Sequence, residues 1–152
     1  MKERSIEILN QALGNELIAI HQYLIHSKIL NEGALYKLGS AARKSSMEEM
    51  HHADKIMDRI FYMGGLPKIN PISGLNFVDD PEKMLNKDLE LEQDAVQLYQ
   101  NSIKELETNK DFGSAEILRQ LLKEEEGHVD WLEQQLSLIK RIGIDKYLEK
   151  NG

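Results

Sequence analysis

Cysteine is absent from this sequence, which removes disulfides, iron–sulfur clusters, thiolate zinc sites and cysteine nucleophiles together. The absence also fits a reducing cytoplasm. Proline occurs three times, at Pro67, Pro71 and Pro81, all within one short stretch. The long segments on either side hold no helix breaker except scattered glycines, which favours an all-helical chain interrupted once in the middle. No apolar run is long enough to span a bilayer, and Met1-Lys2-Glu3-Arg4-Ser5 lacks the apolar stretch of a signal peptide. The expectation is a cytoplasmic protein with no membrane partner. An excess of positive charge is missing too: the formal charge of −7 argues against a general nucleic-acid binder and is compatible with collecting cations.

What is present is helical periodicity. The 152 residues, 41% apolar and 30% charged, suit a single domain spanning 1–152 with a real core. A first helix is expected from about Ser5 to Asn31, with Leu9, Leu13, Ile20 and Leu24 at helical spacing. A second runs from about Tyr36 to Met63, where Gly64-Gly65-Leu66-Pro67 stops it. The segment from there to Asp80 has no sustained periodicity and is long for a connection inside a compact domain. Asp80 as N-cap, Pro81 in the first helical position and Glu82 at the positive end of the dipole open a third helix that reaches about Thr108. Asn109 to Gly113 reads as a turn, and a fourth helix follows from about Ser114 to Arg141. After Gly143, Ile144 to Lys150 could add two turns of a fifth. Two short turns flanking one long crossover describe a ferritin-like four-helix bundle rather than a simple up-down bundle.

Acids interrupt each apolar stripe. Helix one presents Leu9, Leu13, Glu16, Ile20, Tyr23 and Leu30; helix two, Glu49, His52, Ile56, Ile60 and Met63. Helix three presents Leu85, Leu89, Glu92, Val96, Tyr99, Ile103 and Leu106; helix four, Leu118, Leu121, Glu125, His128, Leu132, Leu136 and Ile139. Four buried carboxylates without internal cations call for strong compensation, and metal ions are its simplest source. Glu-x-x-His puts two donors one turn apart on one face. Two lone glutamates plus two such pairs form the ligand set of di-iron and di-manganese bundles. A single Glu-x-x-His is common and usually solvated, so the spacing carries the argument. Residues Glu16 and Glu49 are 33 positions apart, as are Glu92 and Glu125, and the halves superpose at an offset of 76. That offset also matches Tyr23 with Tyr99, Glu48 with Glu124 and Asp54 with Asp130. A zinc pair is disfavoured by so many hard oxygen donors.

Around these residues the sequence resembles bacterioferritin, the haem-containing bacterial branch of the ferritins, over essentially the whole chain. The strings that carry the resemblance are Leu13-Gly14-Asn15-Glu16-Leu17, Glu48-Glu49-Met50-His51-His52-Ala53-Asp54, Gly65-Leu66-Pro67 and the run from Glu125 to Glu133. The resemblance implies a ferroxidase that oxidises Fe(II) with O₂ or H₂O₂ and stores the product as ferric mineral. It implies two irons per subunit, bridged by Glu49 and Glu125, with Glu16 and His52 completing one and Glu92 and His128 the other. It further implies a homo-oligomeric shell of 24 subunits built from two-fold dimers, a haem b shared between two subunits through Met50, and a small ferredoxin as electron donor for iron release. Met50 lies on a second apolar row, Met47, Met50, Met57 and Phe61, matched by Leu17 and Leu24 on helix one, which suggests a subunit interface.

Tyr23 and Tyr99 fit either a hydrogen bond to a ligand or one-electron donation, or else simple core packing. Trp131 could supply an electron as well as pack. His21, His26 and His51 are expected at the surface or an interface. Two departures stand out: Lys44 replaces a histidine that some members use for an accessory iron site, where Glu48 keeps the acid, and Ile56 replaces an aromatic. The alternatives are a di-iron peroxidase or oxygenase of the rubrerythrin type without storage, or a helical packing or signalling bundle.

Overall fold

The structure, a computed structural model, describes residues 2–152. Its elements are α1 (Lys2–Glu32), α2 (Tyr36–Tyr62), α3 (Pro81–Thr108), α4 (Phe112–Ile142) and α5 (Ile144–Lys150). The architecture is the all-α, ferritin-like bundle with one crossover, residues 63–80, and a short fifth helix. Helices α1 and α2 pack as one hairpin and α3 and α4 as the other, with α1 against α3 and α2 against α4 joining them. Arg4 at the start of α1 forks onto Glu105 near the end of α3, at 2.5 and 2.8 Å. Among the described residues, no helix is long and apolar enough to cross a membrane.

The helix ends follow local chemistry. Asp80 caps α3 by accepting from the Lys83 amide at 3.1 Å, with Pro81 in the first turn. Helix α4 starts two residues before the sequence reading placed it, because Asp111 caps it through the Ser114 amide at 3.1 Å. Lys110 takes the left-handed conformation of the turn (φ 63°), so Gly113 is free to serve another purpose. A Cβ there would lie 2.5 Å from an Arg59 nitrogen, and the glycine lets Arg59 reach Asp111 and Ser114 at 3.2 and 3.0 Å. Gly143, at φ 86°, turns the chain into α5. Tyr147 of α5 is fully buried and donates to Gln135 Oε1 at 2.6 Å.

Two apolar clusters fill the bundle. One contains Leu9, Leu13, Ile56, Ile60, Leu118 and Leu121; the other contains Leu30, Leu38, Met84, Leu85, Leu132 and Tyr147. Between them in the sequence of each helix fall Glu16, Glu49, Glu92 and Glu125, all 0% exposed. Leu89 and Val96 on α3 are only half-buried; Ala95 and Ser102 take the inward positions.

Candidate metal centre

The six residues drawn from the sequence meet in the middle of the bundle. Glu16, Glu49, His52 and Glu125 form one group, and Glu49, Glu92, Glu125 and His128 a second, with the donor atoms of each group within 4.8 Å of one another. Glu49 and Glu125 belong to both. His52 Nδ1 lies 2.7 Å from Glu125 and 3.5 Å from Glu16. His128 Nδ1 lies 3.1 Å from Glu49 and 3.4 Å from Glu92. The imidazoles face each other across the site, their centroids 6.4 Å apart.

Each imidazole aims Nδ1 inward and is held from behind through Nε2. Glu124 stands 3.1 Å from His52 Nε2, and Glu48 stands 2.5 Å from His128 Nε2. The hold is crossed: α4 supplies the acid for the α2 histidine and α2 the acid for the α4 histidine. Such a carboxylate fixes the ring tautomer and raises the basicity of the inward nitrogen. The tyrosines cross in the same way. Tyr23 of α1 donates to Glu92 Oε1 at 2.7 Å, and Tyr99 of α3 donates to Glu16 Oε1. The repeated Glu-Glu doublet was a visible signal for Glu48 and Glu124, but only the packing of α2 on α4 shows which histidine each serves.

Electrostatics in this layer are severe. Burial, then the Glu16 carboxyl beside it, drives Glu49 far above the carboxylate range against the opposing pull of His128. Burial and Glu125 do the same to Glu92. Burial opposes charge on Glu125 as well, yet contacts with Glu92, His128 and His52 hold it below the usual range. Burial would lower His52, but Glu125 and Glu16 raise it to about 10. His128 is raised for the same reason, by Glu125, Glu49 and Glu92.

The hydrogen-bonding in this layer is unfinished. Glu16 Oε2, both oxygens of Glu49 and of Glu125, Glu92 Oε2, His52 Nδ1 and His128 Nδ1 are buried without hydrogen-bond partners among the described residues. Native proteins rarely leave buried polar atoms unpaired, and here eight of them converge on one layer. Four carboxylates balance two divalent cations in charge, and the donor set of carboxylate oxygens and imidazole nitrogens suits iron or manganese. The residues fit a dinuclear metal site.

The two halves differ in access. The His52 side chain is 2% exposed and that of His128 14%. A cleft of about 270 Å³ reaches His128 between Tyr23, Lys44, Ser45, Glu48 and Trp131. Lys44 Nζ stands 4.0 Å from Glu48 at its edge.

Outside the centre, Met50 is 50% exposed on α2 with Met47 at 47% and Phe61 at 56%. Met57 instead packs against the core. His21 and His51 are exposed, but His26 is not the surface or interface residue the sequence suggested: it is fully buried inside the subunit, 2.9 Å from Asp88. His26 continues the stripe of Tyr23 and Leu30 at helical spacing, a signal that its polarity obscured.

Fold and site together define a four-helix bundle whose core carries a carboxylate-rich cluster able to hold metal ions. The ferritin-like domain family matches residues 6–142. The chain is 39% identical over 147 residues to the bacterioferritin of Brucella melitensis, covering 97% of this chain and 91% of that protein. It is 41% identical over 138 residues to the bacterioferritin of Rhodobacter capsulatus, covering 91% and 86%. It is 39% identical over 145 residues to the bacterial ferritin of Pseudomonas aeruginosa, covering 95% and 94%. The chain belongs to the ferritin family, within its bacterioferritin branch.

Proposed function

We propose that this protein oxidises Fe(II) at the centre and stores the ferric product as mineral inside a shell of its own subunits. The observation that carries the proposal is the set of orphaned, inward-facing carboxylate and imidazole atoms in two groups sharing Glu49 and Glu125. Fe(II) is the substrate: Glu16 and His52 take one ion, Glu92 and His128 the other, and Glu49 and Glu125 bridge them. Iron supplies the redox chemistry with O₂ or H₂O₂ as oxidant; the chain supplies geometry and charge. Binding expels the protons that His52 and Glu49 hold in the metal-free protein. Glu48, Glu124, Tyr23 and Tyr99 keep the donors aimed while the iron changes charge.

Membership of the bacterioferritin branch supports the storage role, a 24-subunit shell and a haem b between two subunits. Met50 offers that haem a half-exposed thioether beside Met47 on an apolar face of α2, a soft donor suited to haem iron. When bound, haem supplies a one-electron carrier for releasing stored iron, with a small ferredoxin as donor.

Stopped-flow oxidation of Fe(II) tests the centre. Glu49→Ala removes a donor shared by both ions, and we expect oxidation to slow by about 100-fold or more. An unchanged rate would sink the assignment.

A further inference from the structure

Helices α1 and α3 run antiparallel, and buried hydrogen bonds join them across the centre: Tyr99 donates to Glu16, and Tyr23 to Glu92. One turn beyond Glu92, toward the start of α3, Gln22 Nε2 donates to Asp88 Oδ1 at 2.8 Å. Gln22 is 7% exposed and Asp88 4%, so this bond is shielded from water. Gln22 is the chain neighbour of Tyr23, and Asp88 lies four residues before Glu92, on the same face of α3. Two bonds thus cross the seam side by side, from adjacent residues of α1 to carboxylates on successive turns of α3. His26, a turn further along α1, packs against Asp88 at 2.9 Å without a hydrogen bond, its ring edge-on to Phe77 of the crossover.

The Glu16 side of the centre has no such tie. At the offset of 76, Gln22 corresponds to Leu98 and Asp88 to Ala12. Apolar packing holds the seam there: Ile8, Leu9, Ala12 and Leu13 of α1 share a buried cluster with Ile103 and Leu106 of α3. On the Glu92 side, among the described residues, α1 gives the corresponding cluster one buried side chain, Leu30. A buried carboxylate bonded to a neutral amide costs more than apolar packing in the same space, and Leu98 with Ala12 shows the apolar alternative in the same fold. The polar pair sits beside a metal-facing carboxylate, on the stretch of α1 with the fewest buried apolar anchors. That placement suits a device that fixes register.

We propose that Gln22 and Asp88 are positioning residues for the Glu92 half-site: their bond sets α1 against α3 so that the Tyr23 hydroxyl meets Glu92. The proposal rests on the metal-binding reading of the centre given above. Tyr23 reaches Glu92 from the end of a long side chain, so its aim depends on where the α1 backbone lies. A bond from the adjacent residue to the preceding turn of α3 fixes that position. Glu92 is then held toward the ion it shares with His128. The His128 half-site is also the one that the cleft reaches, its histidine 14% exposed against 2% for His52. The accessible half-site therefore has its terminal carboxylate fixed by a polar tie, while the enclosed one relies on apolar packing.

The test is anaerobic cobalt(II) titration of the assembled protein, with thermal melting of the metal-free form to check folding. Gln22→Leu combined with Asp88→Ala copies the residues of the opposite side, and removing both partners strands no buried group. One of the two cobalt(II) ions per subunit should then bind about tenfold more weakly and the other as before, splitting the isotherm. Added to His52→Ala, the double replacement should weaken the ion that remains; added to His128→Ala, it should not. Asp88→Asn keeps an oxygen for the Gln22 amide and should bind both ions like the unmodified protein. A tenfold loss in Asp88→Asn would put the effect on charge and overturn the hydrogen-bond role. An unchanged isotherm in the folded double variant, or equal weakening of both ions, overturns the proposal. Gln22→Ser, which shortens the donor and leaves room for a water beside Asp88, should weaken the same ion and decides the matter if the double variant does not fold. Failure of the unmodified protein to bind two cobalt(II) ions per subunit would overturn the metal-binding reading instead.

Discussion

Glu48 and Glu124 show how a side chain that touches no metal-facing atom governs the centre. Each braces the outer nitrogen of the histidine from the opposite hairpin, at 2.5 and 3.1 Å, and so decides which nitrogen faces inward. Removing the brace in Glu124→Ala should weaken cobalt(II) binding by about 10- to 100-fold, measured by anaerobic titration; an unchanged isotherm would refute the role. His52 sets a pH dependence. Burial opposes its charge, but Glu125 and Glu16 raise it in the metal-free protein from 6.5 to about 10. A raised value means the native state keeps a proton that the unfolded chain has given up. The stabilisation is therefore complete below pH 6.5 and drains away as pH rises through about 10. Metal-free protein should melt at progressively lower temperature from pH 7 to 10. Cobalt-loaded protein, its imidazoles already deprotonated, should change less. A flat metal-free profile would contradict the assignment.

At the scale of elements, the turn between α3 and α4 is fastened at several points. Asp111 caps α4 and meets Arg59, which also donates to Ser114 and lies 4.6 Å over the Tyr62 ring. Burial works against the Asp111 charge, yet bonds from Ser114, Ser5 and Arg59 hold it below the usual carboxylate range. Asp111→Ala loses the cap and strands part of Arg59, so it should cost about 1–2 kcal/mol, measured by denaturant unfolding of metal-free protein. Asp80→Ala removes a cap on an exposed turn and should cost less, about 0.5–1 kcal/mol. Equal effects would mean that the Arg59 contacts add nothing.

For the whole molecule, the feature that exceeds a lone subunit is α2. Met47, Met50, Phe61 and Tyr62 are between 47% and 76% exposed on it, and exposed apolar side chains grouped on one element mark an interaction surface. Light scattering should find a particle of 24 subunits rather than a monomer or dimer. Met50→Ala should abolish the Soret absorbance of purified protein while leaving the Fe(II) oxidation rate unchanged. Haem retained at full occupancy would exclude Met50 as its ligand.

The sequence by itself determined the helices, the crossover and the acid layer, because these depend on periodicity, breakers and spacing along a chain. Tyr23 and His52 share a stripe with their neighbours however the hairpins later pack. It also determined the two-fold character of the site, since 33-residue separations repeat at an offset of 76. It misplaced His26, because a polar residue on a buried stripe needs a partner from elsewhere to be recognised as buried, and Asp88 lies 62 positions away. Only the packing of α1 on α3 and of α2 on α4 decided that Tyr23 serves Glu92, that Glu48 serves His128, and that one half-site ends in His26 and Asp88 while the other ends in apolar side chains. Those pairings are set by distances between helices, which no one-dimensional pattern contains.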